Sequence, residues 1–150
     1  MKRTHIALTD HSIDSGDAVK FVSDPQCGGI ATFLGVTRCD KIGENIVHEL
    51  LFESHPPLAQ SVLDRIVKEY RIECPDLEHV YIVHRLGRVP VGDTNIVIAV
   101  SATHRKCTFR AINALMERVK EELPIWKKEI FTDQSSRWIE NTEFSLARTY

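Results

Sequence analysis

Lys120, Lys127, Lys128, His104 and Arg105 are the residues whose types and spacing could do chemistry in this chain. Lys and Arg number 19 against 21 Asp and Glu, a formal net charge of −2, yet cations concentrate around one helix and the strand after it. In Leu123-Pro124-Ile125-Trp126-Lys127-Lys128-Glu129-Ile130, Pro124 ends the helix. It lacks an N–H, and its ring disfavours helical geometry in the residue before it. Trp126 is expected to anchor the new segment in the core, with Lys127 and Lys128 leaving on opposite sides of an extended chain. Lysines held beside an aromatic anchor point to a pocket for an anion, or to a reaction that needs an amine.

The upstream helix must position them. Phe109, Ile112, Met116, Val119 and Leu123 recur at steps of three and four, predicting an apolar stripe over residues 105–123. At 3.6 residues per turn, Lys120 projects roughly 60° from the centre of that stripe. Arg105 falls near the stripe but in the first turn. Thr103 is the expected N-cap, leaving free N–H groups and the positive dipole end beside His104 and Arg105. Such a helix start suits an anion. The blander alternative is a strand-to-helix turn with ordinary solvated Arg and Lys, and the residues alone leave both open.

Composition sets the outer limits. With 150 residues, 43% of them hydrophobic, one domain over 1–150 is expected. No apolar run is long enough to span a bilayer, and Asp10, Asp14 and Asp17 follow the start too soon for a signal peptide. A cytoplasmic protein is expected. The near-balanced charge argues against general nucleic-acid binding. Cys27, Cys39, Cys74 and Cys107 are widely spaced with no C-x-x-C pair, so reduced thiols are expected in place of a zinc or disulfide framework. Cys39, in a polar loop with no evident base, reads as a bystander. Histidines 48, 55, 79, 84 and 104 lack metal-ligand spacing, so no metal is expected, and no cofactor. Gly28-Gly29 is not a dinucleotide fingerprint, because no helix follows directly.

Along the chain, a short strand at about 5–8 precedes a helix at about 15–22. Asp24-Pro25-Gln26-Cys27-Gly28-Gly29 breaks the chain. Residues 30–37 read as a strand, 39–45 as a polar loop turning at Gly43, and 46–53 as a second strand pairing back as a hairpin. Pro56-Pro57 opens a helix whose buried face is Leu58, Val62, Leu63, Ile66, Val67 and Tyr70. The β-branched runs 80–83 and 96–100 read as central strands, with a Gly/Pro loop or small β excursion at 87–93 between them. Those runs also offer more apolar edge than one small domain covers, which points to self-association. A helix, a strand and a loose tail from about 139 complete an α+β pattern.

Several blocks carry a resemblance: Gly29-Ile-Ala-Thr-Phe-Leu-Gly35, Thr37-Arg38, Leu51-Phe-Glu53, His84-Arg85-Leu86-Gly87, Ser101-Ala-Thr-His104-Arg105 and Pro124-Ile-Trp-Lys127-Lys128-Glu129. In this order, from about residue 28 to 138, they resemble the large, catalytic subunit family of molybdopterin synthase. The resemblance implies an α/β-hammerhead core with an inserted small antiparallel β subdomain. It implies a homodimer carrying two copies of a small ubiquitin-like sulfur carrier, a two-plus-two heterotetramer. The carrier's C-terminal Gly-Gly thiocarboxylate would donate sulfur twice, turning cyclic pyranopterin monophosphate into the dithiolene of molybdopterin. The chain departs from the family pattern at Cys39-Asp40, where Asn often follows the Arg, and at His55 and Leu58, where Tyr and Met are usual.

The resemblance implies Lys120 and Lys127 as catalytic residues, with Lys120 as general acid/base or as the amine engaging the thioacid end. It implies Arg38, His104, Arg105 and Lys128 as anion-holding residues, with Val36, Thr37 and Glu129 at the substrate edge. The chemistry fits these types independently. A phosphate needs cationic donors, and Arg supplies a bidentate fork. Sulfur transfer builds negatively charged intermediates that preorganised cations stabilise. The alternative is a non-catalytic module of the same fold that binds anions or peptide C-termini.

Overall fold

The chain runs through β1 (Thr4–Thr9), α1 (Ser15–Val22), β2 (Gly29–Val36), β3 (Lys41–Ile42), β4 (Asn45–Ser54) and α2 (Pro56–Glu73). It continues through β5 (Leu77–Arg85), β6 (Gly87–Pro90), β7 (Thr94–Ala102), α3 (Arg105–Glu122), β8 (Ile125–Phe131) and β9 (Ser136–Ile139). This computed structural model describes residues 1–139, so most of the expected tail lies outside the described residues.

The first sheet has the order β1-β5-β7-β2, with β1 parallel to β5 and the other pairs antiparallel. Alternate residues of a strand face opposite sides. Val80, Ile82, Ile98 and Val100 therefore meet Leu63, Ile66, Ala111 and Leu115 of α2 and α3 on one side. Val83, Val97 and Ala99 meet Ala18 and Val22 of α1 on the other. Covered on both sides, β5 and β7 read as continuous apolar runs. Burying each Val, Leu or Ile side chain among these stabilises the fold by about 1.5–3 kcal/mol. On the outer surface, Arg118 ties the two long helices, donating to Glu69 at 2.7 Å and to Glu122 at 2.6 Å.

The second sheet is built around β4, which pairs with β3, β6 and β8, while β8 also pairs with β9. The expected hairpin between the strands at 30–37 and 46–53 does not form. β2 spends its length on β7. The Thr37 N–H then donates to the Asp93 carbonyl at 3.1 Å, and Gly92 N–H donates to the Thr37 carbonyl at 2.9 Å. The chain is pinned to the turn before β7, and the next long strand starts in the second sheet. The apolar edge also differs from expectation, because β1 and β2 cover the sides of β5 and β7. β1 and β2 are themselves the edge strands, and β2 is the one that leaves large apolar side chains exposed, Ile30, Phe33, Leu34 and Val36.

The helix faces shift too. In α2, Ala59 joins Leu63, Ile66, Val67 and Tyr70 in the core, while Leu58 is 50% exposed in the first turn. His55 caps that helix, its Nδ1 accepting from Leu58 N–H at 3.4 Å. In α3 the buried residues are Thr108, Ala111, Leu115 and Val119, and Phe109 is 65% exposed. The small Thr108 and Ala111 let the helix lie close over β2 and β7. Gly28 and Gly29 permit this approach: a Cβ on Gly28 would stand 2.6 Å from the Thr103 carbonyl oxygen, and one on Gly29 3.4 Å from Arg105 Cα. Because the Thr103 carbonyl accepts from Gly28 N–H at 3.2 Å, Thr103 belongs to that junction. The N-cap falls on His104, which makes no side-chain capping bond. From the observed stripe centre Lys120 lies roughly 135° away, pointing to solvent and not to the edge of the buried face.

Candidate active site

Pro124 ends α3 as the sequence requires, with Leu123 as C-cap and Ser54 Oγ donating to the Pro124 carbonyl at 2.7 Å. Lys120 occupies the last turn of α3 and Lys127 the third position of β8, so both flank this junction and both are exposed. Trp126 is not the core anchor expected of it, at 58% exposed. Ile125 packs on the main core instead, and strand alternation then turns Trp126 to the opposite face.

Lys127 and Lys128 do part to opposite faces. Lys128 pairs across β9 with Trp138, its Nζ 5.0 Å from the ring centroid, a cation–π contact. Glu129 returns to the face of Lys127 and is buried at 4% exposure, taking Arg137 Nε–H at 3.0 Å. Lys127 stands opposite Phe52 in the β4–β8 register, and directly paired residues share a face. Phe52 in turn meets His84 edge-on, ring centroids 4.9 Å apart. The seam between the two sheets therefore carries Lys127, Phe52 and His84 together.

His84, weighed from sequence as a metal ligand and quoted in one motif block, was given no role at the site. Its signal was a lone polar residue closing the apolar run Val80-Tyr81-Ile82-Val83. A carbonyl can only accept, so Nδ1–H donates to the Arg85 carbonyl at 2.8 Å, which fixes the tautomer and leaves Nε2 the basic atom. Burial pushes its pKa down to about 4, the Arg85 carbonyl opposes that shift, and the Lys127 charge adds to it. The seam holds a neutral imidazole beside a cationic lysine.

This has a stability consequence with a definite sign. The folded value of about 4 lies below the ordinary 6.5, so between them the unfolded chain binds the extra proton. Stability is full above about pH 6.5 and falls by about 1.4 kcal/mol per pH unit as pH drops toward 4, about 3 kcal/mol in all. Urea unfolding of the protein and of His84→Gln between pH 4 and 7 checks this. The variant is expected to lose that slope, while carboxylates such as Glu69 and Glu122, held low by Arg118, act in both proteins at lower pH. Equal slopes would refute it.

The remaining candidates divide between two ends of the first sheet. Val36, Thr37 and Arg38 leave β2 where β7 begins, since Val36 pairs with Thr94. Thr37 is only 2% exposed; Asn95 Nδ2 also donates to its Oγ1 at 3.5 Å, so it braces Arg38. Arg38 is exposed and pairs with Asp40 at 3.3 Å. His104 and Arg105, also exposed, stand at the other end, where Ala102 pairs with Gly29. The α3 helix runs back over β2 and β7, and the 15 residues from Arg105 to Lys120 span roughly 22 Å. Within one chain the structure gathers Arg38 toward the lysine end and sets His104 and Arg105 apart from it.

Asp24, Cys27 and His79 also converge, with potential ligand atoms within 4.8 Å of one another. Both imidazole nitrogens of His79 are committed, Nδ1 accepting from Arg3 N–H at 3.0 Å and Nε2 meeting Asp24 Oδ2 at 2.9 Å. The ring offers this group no spare lone pair for a metal. It fastens β1 and the α1–β2 loop to β5. Among the described residues, no helix is long and apolar enough to cross a membrane.

Fold and site define a protein of mixed α and β structure whose two sheets meet at a seam, with an exposed lysine beside a buried imidazole. The MoaE protein family matches residues 8–122, and the chain belongs to that family. It is 39% identical over 140 residues to the molybdopterin synthase catalytic subunit of Drosophila pseudoobscura pseudoobscura, covering 93% of this chain and 38% of the relative. The chain thus spans well under half the length of that relative. It is 35% identical over 148 residues to molybdopterin synthase catalytic subunit 1 of Aedes aegypti, covering 97% of this chain and 95% of the relative. In structure it is similar to molybdopterin synthase from Staphylococcus aureus, with a TM-score of 0.84 and 33% identity over 89% of this chain and 96% of that one.

Proposed function

We propose that this chain acts as a cytoplasmic molybdopterin synthase catalytic subunit, a sulfurtransferase working on a pterin cyclic phosphate. The observation that carries this reading is the two-lysine junction, Lys120 and Lys127 about Pro124, in a chain of this family. The sulfur donor is the thiocarboxylated Gly-Gly end of a small ubiquitin-like partner. Each transfer exchanges one sulfur for one oxygen. A C–S bond forms at a side-chain carbon of the pterin as that carbon's C–O bond breaks and its oxygen leaves as water. A water cleaves the acyl–sulfur bond and leaves the partner's end a carboxylate. Lys120 serves as general acid/base or as the amine engaging the thioacid end, and Lys127 stabilises the anionic intermediates. Arg38, His104, Arg105 and Lys128 hold the phosphate and the partner's terminus, with Val36, Thr37 and Glu129 at the edge. In this reading the single domain is an α/β-hammerhead core, with the sheet around β4 as its small antiparallel insertion.

A pterin phosphate is too small to bridge the roughly 22 Å between Arg105 and Lys120. A homodimer resolves this. The open apolar edge of β2 supports self-association, and antiparallel pairing of two β2 edges about a two-fold axis sets the Gly29 end of one copy beside the Val36 end of the other. His104 and Arg105 of one copy then meet Arg38, Lys120 and Lys127 of the next, and two partners on the dimer give a two-plus-two heterotetramer.

The test is direct. The purified chain is mixed with a Gly-Gly-ended ubiquitin-like protein, in carboxylate and thiocarboxylate forms, together with the pterin cyclic phosphate. Binding of both forms and turnover with the thiocarboxylate alone are expected. Binding without turnover would leave a module that merely captures anions or peptide ends.

A further inference from the structure

Cys74 and Cys107 are 33 positions apart in sequence, yet their sulfurs stand 2.9 Å from each other. Cys74 is the C-cap of α2, and its N–H donates to the Tyr70 carbonyl at 2.8 Å. Cys107 lies in the first turn of α3, two residues beyond Arg105. Both are thiols and half-buried, open enough for a small reagent. Nothing in the sulfur transfer proposed above uses them. We propose that Cys74 and Cys107 are a reversible dithiol–disulfide site that clamps the first turn of α3, and with it His104 and Arg105, to the end of α2.

The oxidant is a small-molecule disulfide such as oxidised glutathione. One protein thiolate attacks a sulfur of that disulfide, forming a mixed disulfide and releasing one glutathione thiolate. The neighbouring cysteine, losing its proton, attacks the protein sulfur of the mixed disulfide. The Cys74–Cys107 bond forms and the second glutathione leaves as a thiolate. Two protein thiols are oxidised, one disulfide is reduced to two thiols, and the two protons balance. Burial first, and then the Cys74 hydrogen bond and charge, push the Cys107 thiol up to about 12, so little of it is thiolate at neutral pH. Exchange is therefore slow, and the state is best read at equilibrium.

The experiment equilibrates the full chain in oxidised glutathione, traps remaining thiols with an alkylating agent, and maps the products by mass. The expected dominant species has lost two hydrogens, carries no glutathione on Cys74 or Cys107, and yields a peptide linking them that dithiothreitol releases. Its unfolding midpoint is expected to exceed that of the reduced protein by on the order of 10 °C. Cys74→Ser and Cys107→Ser cannot make the link, and the remaining sulfur is expected to take up one glutathione. Two outcomes would overturn the proposal. In one, both cysteines stay alkylatable after the exposed Cys39 is oxidised; in the other, both hold separate glutathiones with no link between them. A linked protein that unfolds at a lower temperature than the reduced one would overturn the clamp.

Discussion

Lys127→Ala and Lys120→Ala are each expected to cut sulfur transfer by about 10²- to 10⁴-fold, the range for losing a proton-transfer group or a preorganised cation. Both side chains are exposed, and neither contributes to the core clusters. Surface replacements of this kind usually stay within about 0.5 kcal/mol of stability. Loss of activity would then be chemical and not a failure to fold, which a circular-dichroism melt checks. The measurement is single-turnover conversion of the pterin phosphate with thiocarboxylated partner, so that product release does not mask the step. Lys→Arg at each position separates the roles. A residue that only holds an anion keeps substantial activity as Arg, whereas one that exchanges a proton or forms a bond as an amine does not. Near-normal turnover in both Ala variants would remove the lysines from the catalytic reading.

How far these residues could be placed from sequence depended on which interactions were local. Pro124 as helix end and the parting of Lys127 and Lys128 follow from ring geometry and strand alternation, and both are present. The central strands were legible because burial on both faces leaves no polar alternation. The face of α3 was misjudged because Thr108 and Ala111 bury through smallness, while the larger Phe109 stays exposed. Trp126 was misplaced for a related reason, since Ile125 took the inward position first. Pairing partners were beyond local reading: β2 joins β7, about 65 residues on, and the decisive contacts are those of Thr37 with Asp93 and Gly92. The same blindness hid the Cys74–Cys107 contact and the packing of His84 on Phe52. It also hid the separation of Arg105 from Lys120, which only helix length reveals.

That separation yields the most discriminating expectation. Arg105→Ala removes one charge-assisted contact, worth roughly 1.5–3 kcal/mol, so substrate affinity should fall about tenfold to a hundredfold while partner binding holds. Lys127→Ala should be close to inactive, as argued above. If each site takes its lysines from one copy and His104-Arg105 from the other, a dimer of one Lys127→Ala chain and one Arg105→Ala chain contains one doubly damaged site and one intact site. Random assembly makes half the dimers mixed, so co-expressing the two variants at equal level should restore about a quarter of normal activity at low substrate. The restored fraction should show normal substrate affinity, because its working site has every residue in place. If Arg105 instead serves the lysines of its own chain, no combination rebuilds a site, and the mixture gives only the mean of the two damaged proteins. Purifying mixed dimers through two different affinity tags sharpens the contrast to one half against a few per cent at most. Activity at that lower level, in dimers verified by mass to contain one of each chain, would return the site to a single chain and remove the reason for placing it between two.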